Sequence, residues 1–323
     1  MKHRTFGGER VSEVGLGCWQ IGGDAWGDVP DEDALDVLRA SAESGVTFLD
    51  TADVYGLGRS EELVGKFLKD AGHDRCFVAT KLGRFPQPGW PGNFAPAAIR
   101  AHTEASLKRL GVDAIDLTQL HCVPMEVLLR DDTWETLRAL AKEGKIKHFG
   151  ASVESVAEAK ECIRQADCAS LQLIVNVFRQ SPVFELFERC EREGVAVIVR
   201  LPLASGLLAG RYTAGTTFPP GDHRTYNRDG AAFNVGETFA GLPFETGVEL
   251  VERLRPRVPA GWTMAEFALR WCLDHPAVTT VIPGMRKLSN VRANLAASDG
   301  HPLDPALVAT LRAHRWERDW IVP

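Results

Sequence analysis

The sequence predicts an α/β fold: a (β/α)8 TIM barrel, built as a single domain from all 323 residues. Three observations lead there. Stretches with one apolar helical face end in glycine; short apolar, β-branched runs follow almost at once; and the alternation recurs along the chain with no linker or low-complexity tract to divide it. The pattern reads AESG-VTFLD, LKRLG-VDAIDL, AKEG-KIKHFGAS and REG-VAVIVRLP, which puts Gly45, Gly111, Gly144 and Gly194 where a helix end takes a left-handed residue. The runs that follow are nearly continuously apolar, as strands covered on both faces are.

Taken in order, RTFGGERVSEVG reads as an N-terminal β-hairpin with a Gly-Gly turn, suited to closing the barrel floor. A first barrel strand falls near 14–17. The helix expected over 31–44 gathers Ala34, Leu35, Val37, Leu38 and Ala42 on one stripe, with Pro30 and Asp31 as start signals. Strand FLD and a helix over 60–71 come next, then strand CFVATK and a helix over 97–110. Strand IDLTQLH precedes a helix over 133–143, strand KIKHFGAS one over 156–165, and strand SLQLIV one over 183–193. The seventh strand, VAVIVR, is followed by a long loop over 212–244, rich in Gly, Pro and Asn; loops of that size are functional or disordered. A helix over 264–275 and strand VTTVI complete the eight.

Composition narrows the function. With 45% apolar and 25% charged residues the chain is ordinary globular protein, and a formal net charge of −6 without a basic cluster argues against nucleic acid or an anionic membrane as partner. No apolar run approaches the roughly 18 residues a bilayer span requires. The N-terminal segment lacks the apolar core of a signal peptide, so a cytoplasmic location is expected. Seven cysteines, none in a C-x-x-C, read as buried free thiols, and nine histidines without a tight ligand pair give a metal site little support.

In a barrel of this kind, polar residues at the C-terminal strand ends line the mouth. Here they are Asp50 and Tyr55 after the second strand, Lys81 at the end of the third, His121 of the fourth and Ser152 of the fifth. The sixth offers Gln172 and Asn176, and the seventh ends in Arg200. Singly, each has a plain structural use: a turn cap, a rim residue, a solvated strand end, a core histidine. Together, on successive strand ends, they form a chemical unit. A phenol titrates near 10, a neighbouring ammonium favours its ionised form, a carboxylate holds that ammonium charged, and a histidine beside the phenol orients a carbonyl or moves a proton. Such a unit is a general acid poised to protonate an oxygen. Asp53, in the same turn, reads as serving the turn rather than the chemistry.

The segments GLGCWQIGG, DTADVYGLGRSEELVG, VATKLG, IDLTQLH, HFGAS, PLASGLLAG and VIPGMRKLSNVRANLAA occur in this order from end to end. In this the sequence resembles the aldo-keto reductase family. The resemblance implies a barrel oxidoreductase that transfers hydride from NADPH to an aldehyde, ketone or keto sugar. It makes Tyr55 the proton donor, Lys81 the residue that lowers its pKa, Asp50 the partner of Lys81 and a neighbour of the cofactor, and His121 the residue that orients the carbonyl. It assigns Ser152 and Gln172 to the nicotinamide carboxamide, and Leu203 with its loop neighbours Pro202, Gly206 and Leu207 to the pyrophosphate. Gly284, Arg286, Asn290 and Asn294 fall at the adenosine end, with Arg286, beside Lys287, as partner of a 2′-phosphate. Arg200 stands where an aromatic residue commonly stacks on the nicotinamide, Val153 where Asn is usual, and Ala293 where an acidic residue is frequent.

Trp19, Trp26 and Trp90, with Phe85, Tyr226 and Phe233, fall in mouth loops. Trp19, Trp26 and Trp90 are expected to shape the substrate pocket, Trp19 also touching the cofactor, whereas Trp134, Trp262 and Trp271 read as packing. The first functional expectation is an NADP(H)-dependent carbonyl reductase acting on a small molecule. The alternatives are a non-catalytic NADPH-binding subunit resembling the channel-associated β subunits, which commonly carry Asn where this chain has His121, and a sugar or alcohol dehydrogenase running oxidatively. A hydrolase or aldolase using Lys81 as a Schiff base ranks last, because Asp50 would keep that amine charged. The oligomeric state is open.

Overall fold

The computed structural model describes residues 1–27 and 29–316. Two strands, β1 (His3–Phe6) and β2 (Glu9–Ser12), pair antiparallel around Gly7-Gly8 as the expected hairpin. Eight parallel strands then follow in chain order: β3 (Leu16–Gly17), β4 (Phe48–Asp50), β5 (Phe77–Leu82), β6 (Ile115–His121), β7 (Ile146–Ser152), β8 (Ser170–Ile174), β9 (Ala196–Arg200) and β10 (Val278–Val281). Bridges from Val14 to Val281 and from Gly17 to Gly284 join the first strand to the last, so the sheet curls into a barrel.

The hairpin plugs the floor. The Phe6 ring lies 4.8 Å from Phe77 and 6.4 Å from Phe48, and Val11, Leu117, Ile198 and Ile282 complete this inner cluster. Because strand side chains alternate with period two, the residues two positions beyond these floor positions face the lumen one layer higher: Asp50 above Phe48, Gln119 above Leu117, Arg200 above Ile198. Register sets the neighbours at the mouth, pairing Lys81 with Gln119, His121 with Ser152 and Ser152 with Gln172.

Helices cover the outside as expected, over Asp31–Glu43, Arg59–Ala71, Pro96–Leu110, Asp131–Lys142, Val156–Ile163 and Met264–Leu273. Each buries an apolar stripe: Ala34, Val37, Leu38 and Ala42 in the first, Leu63, Val64, Phe67 and Leu68 in the second. Gly111 and Gly194 terminate their helices at φ +67° and +70°, a region other residues enter only at a cost.

Two details differ from expectation. The helix over 183–193 breaks at Leu186 into Ser181–Glu185 and Phe187–Glu193. Helices Phe244–Leu254, Leu288–Asp299 and Pro305–Leu311 were not anticipated. The buried face of Leu288–Asp299 mixes Val291 and Leu295 with Asn294 and Ser298, which blurs its periodicity.

The region 212–244 is a packed segment with a one-turn helix, His223–Tyr226, and 3-10 turns at Val235–Glu237 and Phe239–Gly241. The rings of Phe239 and Phe244 meet at a tilt with centroids 5.0 Å apart and Phe218 joins them, while Asn227 Oδ1 accepts from the amides of Ala232 and Phe233 at 2.9 Å each. Trp134 and Trp271 are buried and Trp262 packs on the core, as expected. Among the described residues no helix is long and apolar enough to cross a membrane.

Candidate active site

The end of β4 and the turn after it converge on one ammonium from β5. Nζ of Lys81, fully buried in β5, donates to Oδ1 of Asp50 at 2.6 Å, to the Thr51 carbonyl at 2.7 Å and to the Tyr55 hydroxyl at 3.2 Å. An ammonium has three hydrogens, and all three are used. The second oxygen of Asp50 accepts from Nε2 of Gln172 at 2.7 Å and from Gln119 at 3.4 Å. The turn after β4 is pinned by the Asp53 amide to the Lys81 carbonyl at 3.0 Å and by the Tyr55 amide to the Ala52 carbonyl at 3.2 Å, so the phenol is held rigidly. Its ring lies 5.9 Å from that of His121, edge on, and stacks at 6.0 Å on Trp19.

The electrostatics follow from burial. Burial by itself lowers the pKa of the Lys81 ammonium, but Asp50 and then Tyr55 outweigh it and the net direction is up. The Tyr55 phenol is pushed up to about 12, chiefly by burial; Lys81 pulls it down, while Asp50 and Glu237 push the other way. The sequence expected Lys81 to leave the phenol with a lowered pKa, and that net direction is corrected: the ammonium acts as expected, but desolvation of the phenolate wins. Burial, and then the charges of Arg84, Lys81 and Arg200, hold the His121 imidazole well below its usual range, which makes it a neutral ring. Its Nδ1 is buried without a hydrogen-bond partner among the described residues.

These groups open onto a cavity of about 680 Å³ that runs across the barrel mouth. At one end are Trp19, Trp26, Asp50, Tyr55, His121, Gln172 and Arg200. Its wall continues through Pro202, Leu203 and Gly206 and reaches Gly284, Arg286, Lys287, Asn290 and Asn294 at the other end. Gly206 has φ +95°, and a Cβ there would collide with the Tyr212 hydroxyl. Arg286 is braced by a bond from Nη1 to the Trp26 carbonyl at 2.7 Å.

Four of the expected residues lie off this wall. Lys81 sits beneath it. Ser152 is buried in β7, and its hydroxyl has no partner among the described residues. Leu207 is buried behind the loop, against Gly247. Trp90 is 56% exposed, and its indole N–H reaches out to the Cys122 carbonyl at 3.4 Å. It therefore stands on the rim rather than walling this cavity, a correction to its expected place.

Arg200 lines the cavity and is itself paired. Its guanidinium is tied to Glu154 at 2.5 Å and lies 4.0 Å from Glu237, which also pairs with Arg84 at 2.6 Å. The Cys122 sulfur sits between, 3.1 Å from Glu154 and 3.2 Å from Glu237. The three acidic groups have ligand-like spacing, yet two guanidiniums already neutralise the carboxylates, and burial holds the thiol protonated. The assembly is an ion-pair cluster. Sequence reasoning missed Arg84, Cys122, Glu154 and Glu237. The first three lie within two residues of strand ends, a signal that was available; Glu237 comes from the middle of the long segment and had none.

The carboxylate of Asp53 is fully buried, 3.6 Å from Nδ1 of His102, and its pKa is pushed up to about 7 by burial and then by Glu61.

The residues fit an NADP-type cofactor on the structure's own features. Ser152 holds a buried hydroxyl without a partner among the described residues, Pro202, Leu203 and Gly206 run along the cavity wall, and Arg286, Lys287, Asn290 and Asn294 supply cations and amides at the far end.

Comparison with known proteins adds the family. The aldo/keto reductase family model matches residues 13–315. The chain is similar to YqkF, an uncharacterized oxidoreductase of Bacillus subtilis (strain 168), with 31% identity over 94% of this chain and 92% of that one. It also superimposes on the holo form of an aldo-keto reductase from Bacillus halodurans, with a TM-score of 0.81 at 29% identity, covering 100% of this chain and 99% of that one. An aldo-keto reductase from Klebsiella pneumoniae, solved in complex with NADPH, matches with a TM-score of 0.72 at 26% identity, over 98% of this chain and 97% of that one. A closed eight-stranded barrel, a buried Asp–Lys–Tyr relay at its mouth and a match over nearly the whole length agree: the chain belongs to the aldo/keto reductase family, a family of oxidoreductases.

Proposed function

We propose that the protein is an NADPH-dependent reductase of small aldehydes, ketones or keto sugars, with Tyr55 as general acid. The observation that carries this reading is the relay Asp50–Lys81–Tyr55, with contacts of 2.6 and 3.2 Å, standing beside His121 at the cavity wall.

Bound in the cavity, NADPH would supply the hydride. Ser152 and Gln172 would hold its carboxamide, the loop at Pro202, Leu203, Gly206 and Leu207 its pyrophosphate, and Gly284, Asn290 and Asn294 its adenosine. Arg286, next to Lys287, offers the guanidinium that suits a 2′-phosphate. The NADPH complex of the Klebsiella relative supports this choice of cofactor. Tyr55, with its pKa at about 12, stays protonated at neutral pH and keeps a hydrogen to donate to the developing alkoxide. Lys81 stabilises the phenolate left behind, and Asp50 keeps Lys81 charged and in place. Neutral His121 orients the carbonyl without competing for the proton. The same groups serve the reverse oxidation, with Tyr55 receiving the proton. The intact relay and His121 together weigh against a non-catalytic subunit.

The test is NADPH oxidation, followed by absorbance, against a panel of aldehydes, keto sugars and diketones, with cofactor binding measured by fluorescence. Turnover of at least one carbonyl is expected. Tight NADPH binding with no turnover on any of them would favour a cofactor-binding subunit instead.

A further inference from the structure

The ion-pair cluster behind His121 has one feature that the reaction does not use. Among the described residues the Glu237 carboxylate makes its polar contacts through Oε1, which accepts from Arg84 at 2.6 Å, touches the Cys122 sulfur at 3.2 Å and faces Arg200 at 4.0 Å. Oε2 makes no hydrogen bond among the described residues and is not one of the sealed polar atoms, and the residue lines the cavity together with Tyr55 and His121. Glu237 thus shares a cavity wall with the phenol, and its charge is felt at Tyr55. A carboxylate oxygen held in place by an arginine, with its lone pairs open to the site, is an acceptor waiting for a donor.

The surroundings narrow what that donor belongs to. Among the described residues, Arg84 and Arg200 are balanced by Glu154 and Glu237, and Lys81 by Asp50, so each of these three cations nearest Tyr55 and His121 already has a carboxylate partner. Trp19, stacked on Tyr55, supplies a flat apolar face for C–H groups.

Resting on the reductase reading above, we propose that Glu237 is a specificity-determining residue: its free carboxylate oxygen accepts a hydrogen bond from a hydroxyl adjacent to the reacting carbonyl. The site thereby selects neutral hydroxy-aldehydes and hydroxy-ketones over plain carbonyls and over carbonyls that carry a carboxylate. Glu237 is suited to this because it is fixed from both sides. Its Oε1 is anchored to the ends of β5 and β9, and its backbone sits in the 3-10 turn Val235–Glu237, capped by the Asn234 side chain on the Gly236 amide at 2.7 Å. Sites that use a buried group to bind a substrate hydroxyl discriminate strongly against analogues lacking it.

The experiment compares kcat/KM, with NADPH, for two matched pairs: glyceraldehyde against propanal, and 4-oxobutanoate against butanal. Wild type is expected to favour glyceraldehyde by about tenfold or more, and butanal over 4-oxobutanoate. Glu237→Ala should bring the first ratio close to one. Glu237→Gln, which keeps the shape but not the charge, should relieve the discrimination against 4-oxobutanoate, and it carries the test if the alanine variant does not fold. Glu154→Gln perturbs the same cluster from a residue that does not line the cavity and should leave the ratio of glyceraldehyde to propanal as in wild type. Thermal unfolding and NADPH titration by fluorescence accompany each variant. Ratios unchanged in both Glu237 variants, or a ratio of glyceraldehyde to propanal that falls as far in Glu154→Gln as in Glu237→Ala, would overturn the assignment while leaving the reductase reading intact. No turnover of any of the four aldehydes would overturn this inference, whereas the reductase reading falls only if the keto sugars and diketones of the wider panel are not turned over either.

Discussion

The two sides of the barrel mouth are built by different means. On one side Asp50, Lys81 and His121 project from β4, β5 and β6, with Tyr55 one turn beyond, and each neighbour is set by strand register. On the other, Arg84, Cys122, Glu154 and Arg200 come from strand ends and the residues just past them, Glu237 comes from a segment more than thirty residues past β9, and ion pairs tie that segment to the strand ends. The first side has one partner for each charge and no spare. The second has redundancy, because Arg200 faces two carboxylates and Glu237 two guanidiniums. Rigid strands suit the invariant task of moving a proton; a cluster with alternatives suits a wall that shapes the choice of substrate.

That contrast can be broken by mutation. Lys81→Met should have the largest effect. It leaves Asp50 buried without its ion-pair partner, at a cost of about 3–5 kcal/mol in urea unfolding, and it should also abolish carbonyl reduction. Gly206→Ala forces a Cβ onto the Tyr212 hydroxyl at φ +95° and should cost about 1–3 kcal/mol, with weakened NADPH binding in a fluorescence titration. If the second side is redundant, Glu154→Gln should cost only about 1–2 kcal/mol in the same unfolding assay, since Arg200 retains Glu237. A loss as large as that of Lys81→Met would end the distinction.

A subtler expectation concerns Asp53, beneath the first side. Its pKa rises from 3.8 in the unfolded chain to about 7 in the fold, so between those values the folded state binds the extra proton. Stability is then lost as pH rises through that window, and the loss is complete above about 7. Asp53→Asn should therefore raise the melting temperature by roughly 2–4 °C at alkaline pH, with almost no change under acid conditions. A stabilisation confined to acid would have the wrong sign. The smallest effect is expected of pH on the reduction itself. With Tyr55 at about 12 and His121 already neutral, kcat should be nearly flat across the neutral range, without an alkaline limb below about pH 10.

The barrel and the first side were legible in the sequence because their signals are local. FLD, VATK and IDLTQLH each combine an apolar run with a polar residue at its end, and period-two alternation carries that residue to the mouth. The hairpin was equally readable from its Gly-Gly turn. The direction of the Tyr55 shift was not, because it depends on how deeply the phenol is buried, which no single stretch encodes. Nor was the partner of Arg200: Glu154 is 46 positions away from it, and Glu237 is 153 from Arg84, so their meeting is a property of the closed fold. Trp90 was placed too close to the substrate because its Pro- and Gly-rich loop carries the ring outward, where its N–H finds a backbone carbonyl.

The central claim is that Tyr55 donates the proton, and Tyr55→Phe tests it most directly. NADPH-linked reduction should fall by roughly 10²–10⁴, while NADPH affinity by fluorescence and the unfolding midpoint stay close to wild type, because the ring and its stacking on Trp19 are kept. Reduction that persists within a few-fold of wild type, with cofactor binding intact, would contradict the account and move the acid to another group.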